Sequence, residues 1–258
     1  MPVRVQPRAW IGLAAWALYL VVVVVVQAAS GVPYTEWGDS ASNLWRGAVV
    51  SLVLGAVVVA IVTSWLGWWR PALRERRTTR AKWTIIAPAL LLVALVGNLV
   101  GTDWSAVGAD FILAALALGI VVGFNEELTS RGLLLVGLRG STREIWVALV
   151  SSAAFGLMHG INIFLGQSVA ETIPQIGQAF LQGLTFYVLR RVTGSLFAAI
   201  ALHGAWDFSV FTLDVSDGSN PLTILVLLGG VFTLATFWFA ARDAREGTGD
   251  RAPEAAPA

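Results

Sequence analysis

The sequence predicts an all-α, polytopic transmembrane bundle of about eight spans with both termini cytoplasmic. Three observations predict it. Charged residues make up only 13% of the 258-residue chain and hydrophobic residues 57%, where soluble proteins carry about 25% charged residues. A soluble fold of this size would need a charged surface, so lipid must cover much of this one. Apolar runs of about the 20 residues needed to cross a bilayer recur along the chain, and the basic residues fall in alternate loops.

The runs lie at 10–29, 44–69, 82–101, 107–138, 144–164, 175–189, 195–212 and 222–241. The fourth is too long for one straight crossing, and the sixth is short. Few strand-like alternations compete, and an open sheet would leave backbone groups unsatisfied in lipid. No internal repeat or soluble domain is visible. Residues 1–241 read as one bundle with a motif-bearing core at about 107–212. Residues 242–258, with Gly247, Gly249, Pro253 and Pro257, read as a disordered cytoplasmic tail.

Orientation follows from the cations. Arg4 and Arg8 precede the first span. Arg70, Arg74, Arg76, Arg77, Arg80 and Lys82 separate spans two and three. Arg139 and Arg143 follow span four, Arg190 and Arg191 follow span six, and Arg242, Arg245 and Arg251 follow span eight. In an eight-span chain these 15 of the 17 basic residues share one side. The opposite loops carry Glu36, Asp39, Asp103, Glu171, Asp214 and Asp217 and no Lys or Arg. A cleaved signal peptide, with Val26-Gln27-Ala28 near the cleavage site, is the competing reading of the first segment. The charge alternation works with that segment retained. The net charge of +1 gives no case for nucleic acid, and the absence of cysteine excludes thiol chemistry and disulfides.

Ionisable side chains inside a span cost about 2.5–3.5 kcal/mol each on insertion scales, so they need partners or a function. Here they are Glu126, Glu127, Arg131, His159, His203 and Asp207; Asp110 sits at a span edge. Glu127 and Arg131 are i,i+4 neighbours and can pair. Glu126 points about 100° away around the helix, free to face a cavity. Gly119 and Gly123 form a small-residue stripe that lets another helix approach, as do Gly156 and Gly160 beside Phe155 and His159. His203 and Asp207 are again i,i+4, so the aspartate could fix a histidine tautomer or share a ligand.

A depth count groups these residues. From the nearest cytoplasmic helix end, Glu126, His159, His203 and Asp207 lie roughly 20, 22, 12 and 18 Å deep at 1.5 Å per residue. They occupy one layer on three helices. This requires span four to run on through the glutamate pair as a helix of about 50 Å that tilts, kinks or projects.

Glu126-Glu127-x-x-x-Arg131, Phe155-x-x-x-His159 and His203-x-x-x-Asp207 resemble the three motifs of the CAAX-protease and bacteriocin-processing family, which includes the type II CAAX prenyl endopeptidases. The resemblance covers about residues 119–211. The third motif has Asp207 where Asn is the other common choice. The resemblance implies an intramembrane endopeptidase acting on a membrane protein or peptide, prenylated and CAAX-like in part of the family. Glu126 would activate water. His203 and Asp207 would orient it and stabilise the oxyanion. His159 would position the water or protonate the leaving amine, and Glu127 with Arg131 would fix the helix and the charge state of Glu126. The family is often called metalloprotease. Glu126, His159 and His203 could supply a catalytic zinc set, although an H-E-x-x-H helix is absent, and the metal stays open.

Blander readings stand beside this. A lone membrane histidine is more often a packing residue; Glu127–Arg131 can be purely structural; Phe155 reads as core. Gly247-Thr-Gly-Asp250 matches a G-x-G-D string by chance in the polar tail. Ser151, Ser152 and Ser195 stand in no G-x-S-x-G elbow. The rival functions are a non-catalytic immunity or scaffold protein and an ion-coupled transporter, the latter disfavoured by the missing repeat.

Overall fold

Glycine ends the first two long helices. Helix α1 (Ala9–Ser30) stops at Gly31 with φ 69°, and α2 (Ala41–Leu66) stops at Gly67 with φ 71°. Both occupy the left-handed region, where a Cβ is disfavoured. The computed structural model describes residues 3–75 and 78–242. Six further long helices follow: α3 (Lys82–Gly101), α4 (Ala109–Arg139), α5 (Glu144–Leu165), α6 (Val169–Thr193), α7 (Leu196–Val215) and α8 (Pro221–Arg242).

Seven of the eight are long and apolar enough to span a membrane. The exception is α6, which contains the short sixth apolar run. It is 25 residues long, but Glu171, Gln175, Gln178 and Gln182 interrupt its apolar character. It starts with a capping box, in which Ser168 and Glu171 satisfy each other's backbone N–H. Among the described residues no strand forms, only an isolated bridge between Arg74 and Ser195. The expected tail and its Gly247–Asp250 string lie outside the described residues.

Helix α4 sits at the centre. In its most apolar window 56% of residues are buried, against 28% for α1. It packs most extensively on α7, with α1 and α2 on one flank. Helices α5 and α6 pair, and α3 and α8 close the other side. As the depth count required, α4 runs unbroken past the glutamate pair. It does so through a π-helical turn at Leu128–Leu134, a widened turn often found at functional sites.

The basic loops meet at one end of the bundle. Glu75, in the connection after α2, is almost fully buried there. It pairs with Arg139 at 2.6 Å and Arg190 at 3.3 Å. Burial alone would raise its pKa, but Arg139 and Arg190 outweigh that and hold it at about 2. Arg139 also reaches Glu144, which accepts from Tyr187 at 2.9 Å. Trp10, Trp65, Trp83 and Trp146 are exposed around this end. Such an aromatic belt marks a membrane interface.

Candidate active site

The site forms where α4 and α7 cross at close range. A Cβ on Gly119 would lie 2.4 Å from the Gly204 carbonyl oxygen, and one on Gly123 would lie 2.5 Å from that of Ile200. The absent side chains let the backbones touch, and one to two turns further on this sets the glutamate pair against His203. Asn125, immediately before the pair, donates to the Leu52 carbonyl of α2 at 2.6 Å, fixing the rotation of α4.

Glu127 and Arg131 pair as the i,i+4 spacing predicts, and both are fully buried. Glu127 does more than the sequence suggested. Its Oε1 lies 3.0 Å from His203 Nδ1. A carboxylate held by Arg131 accepts, so His203 donates from Nδ1 and turns Nε2 toward the cavity. The sequence offered Asp207 as a holder of the tautomer or as a partner in sharing a ligand; here Glu127 takes the Nδ1 side. Asp207 Oδ2 instead stands 3.7 Å from Nε2 on the other edge of the ring, and Glu126 Oε2 stands 3.9 Å from it. The two glutamates thus address opposite nitrogens of one imidazole.

His159 lies where α5 gives way to a 3-10 turn, His159–Leu165. Its Nδ1 donates to the Phe155 carbonyl at 2.9 Å, so its Nε2 is also the free nitrogen. Phe155 was expected to be packing alone. It contacts His159 and His203 edge-on at 5.3 and 5.5 Å between ring centroids and carries the Arg131 guanidinium 3.9 Å above its face. Phe186 of α6 stacks on His203 at 4.8 Å. Nothing in the sequence singled out Phe186 among its apolar neighbours.

Glu126, His159, His203 and Asp207 line one cavity of about 610 Å³. Glu126 Oε2 is buried and has no hydrogen-bond partner among the described residues. The opposite wall is α6, through Gln175, Gln178 and Gln182. Their spacing of three and four residues places them on one helix face, a signal visible in the sequence but hidden by the weakness of that apolar run. Gln175 accepts from Asn162 and donates to the Tyr34 hydroxyl.

A metal would need Glu126, His159 and His203 to converge. Among the described residues no three histidine, aspartate or glutamate side chains form a group able to hold a metal ion.

No curated protein and no solved structure matches the chain. Residues 108–209 match the family described as type II CAAX prenyl endopeptidase, Rce1-like. That stretch holds all three motifs and every side chain of the cluster, and the family is one of membrane proteases. Residues 108–209 of this multi-pass membrane protein are therefore similar to the Rce1-like, type II CAAX prenyl endopeptidase family.

Proposed function

We propose that the chain is an intramembrane endopeptidase of the cell membrane that hydrolyses a peptide bond in a membrane-associated or CAAX-like peptide, with Glu126 as general base. One observation carries this reading: a buried carboxylate oxygen without a partner faces His203 Nε2 across a cavity that also receives His159 and Asp207. Burying a carboxylate with a bare oxygen is costly, and a reacting water would supply what it lacks.

In this mechanism water sits against Glu126 and His159 Nε2. Glu126 takes a proton as the water oxygen bonds to the peptide carbonyl carbon. The carbonyl oxygen becomes an oxyanion. In its imidazolium form His203 donates from Nε2 to that oxyanion and from Nδ1 to Glu127, whose charge balances it. Asp207 holds the other edge of the ring and orients the water. The C–N bond then breaks, and the proton held by Glu126 passes through His159 to the leaving amine. Arg131 keeps Glu127 ionised and in place. The side chains alone carry the chemistry.

The test compares, by proteomics, membranes from cells carrying the wild type or Glu126→Gln. Fragments present only with the wild type are expected, with equal amounts of both proteins in the membrane. Identical fragment patterns would remove the protease reading.

A further inference from the structure

A tyrosine from outside the family-matched stretch reaches the active-site cavity. Tyr34 opens the short 3-10 turn Tyr34–Asp39 that joins α1 to α2. It lines the same cavity as Glu126, His159, His203 and Asp207. Several contacts hold it there. Gly166, which ends the turn that begins with His159, packs on Pro33, and a Cβ added to it would stand 3.4 Å from the proline Cβ. Trp37 is buried and meets the Tyr34 ring edge-on at 4.7 Å between centroids. Trp37 in turn packs so closely on Gly47 of α2 that a Cβ there would lie 2.6 Å from the indole nitrogen. The Tyr34 hydroxyl accepts from Gln175 Nε2 at 2.9 Å, and Asn162 holds the other end of that amide at 3.1 Å.

A phenol both accepts and donates. Gln175 takes an acceptor position of Tyr34, and among the described residues the hydroxyl proton has no acceptor. Asp207 and Glu126 stand near enough for their charges to act on it. Burial, with those charges, raises its pKa above the ordinary 10.0 against the opposing bond from Gln175. The hydroxyl therefore keeps its proton at neutral pH. A peptide entering the cavity brings carbonyl oxygens that lose water and need donors. Resting on the protease reading above, we propose that Tyr34 is a substrate-binding residue, its hydroxyl donating to a main-chain carbonyl of the peptide that occupies the cavity. Every peptide carries that acceptor, so the contact sets where the chain lies beside Glu126 without reading its side chains. Trp37 and Gln175 fix the ring beforehand, which leaves little rotamer freedom to be lost on binding.

The probe is a fluorescent peptide spanning a cleavage site identified by the membrane comparison. The protein is the full chain carrying Glu126→Gln, which is expected to hold the peptide without cutting it. Adding Tyr34→Phe removes only the hydroxyl. It is expected to weaken Kd about three- to tenfold, the worth of one hydrogen bond, with Tm unchanged. Gln175→Leu is expected to weaken binding as well, and to add nothing further once Tyr34→Phe is present. An unchanged Kd in Tyr34→Phe, a fall in Tm alongside the weaker binding, or losses from the two substitutions that add in full would overturn the proposal. The protease reading fails separately, by the absence of Glu126-dependent fragments from membranes carrying the wild type.

Discussion

Glu127 Oε1 and His203 Nδ1 lie 3.0 Å apart across the α4–α7 crossing, and the same carboxylate is clamped by Arg131. A residue four positions away on its own helix and a residue on another helix thus share one acceptor. The carboxylate fixes which nitrogen of His203 faces the cavity.

Replacing Glu127 with Gln preserves shape and removes the charge that balances His203. Loss of such an orienting partner lowers activity by about 10–100-fold where it supports a metal ligand and by about 10⁴-fold in a hydrolase triad. Glu127→Gln is expected to lower kcat within that range and leave KM nearly unchanged. Steady-state kinetics on a peptide spanning an identified cleavage site checks this. Wild-type kcat would show that the pairing is idle.

The α4–α7 contact has no room for a methyl group. Gly119→Ala would place its Cβ 2.4 Å from the Gly204 carbonyl oxygen. Forcing backbone apart in a packed interior costs about 1–3 kcal/mol. A lower Tm and lost cleavage are expected together, because the crossing also sets Glu126 against His203. Gly177 on α6 has nothing within 4 Å of an added Cβ. Gly177→Ala should leave Tm unchanged or slightly higher, and a parallel loss in both variants would refute the crossing argument.

The buried Glu75 cluster gives a pH dependence with a defined sign. The carboxyl is lowered from an ordinary 4.5 to about 2 in the fold. Its stabilisation is therefore fully present above 4.5 and is lost as the pH falls through about 2. The shift corresponds to roughly 3 kcal/mol. Glu75→Gln should lower Tm at neutral pH and flatten the Tm-against-pH curve between these two values. An unchanged curve would show that Arg139 and Arg190 do not act through this carboxylate.

Exhaustive chelation should leave fragment formation intact, because the side chains do not converge on a metal. Activity that disappears with the chelator and returns with zinc would require Glu126, His159 and His203 to rearrange.

Apolar runs and alternating cations located the spans, since both report directly on the bilayer. The depth count put Glu126, His159, His203 and Asp207 in one layer because rise per residue is fixed in a helix. What escaped were relations between helices. Whether Asp207 or Glu127 meets His203 Nδ1 depends on the angle and depth at which α7 crosses α4, and spacing within one helix is silent on that. Phe186 looked like any apolar residue. The glutamines of α6 weakened the reading of a span when they were the wall of a cavity. The arginines around Glu75 served only to orient the chain, although three of them, Arg139, Arg190 and Arg191, contact it.

The π-helical turn at Leu128–Leu134 makes α4 a fixed gauge. Below it Arg139 is anchored by Glu75 and Glu144; above it the glutamate pair is anchored by Asn125 and His203. Removing one residue from the regular helix between the wide turn and Arg139 would leave the span unbroken. It would also swing one anchorage about 100° relative to the other. The helix would survive such a deletion better than the site would, so chain length here is constrained more tightly than residue type.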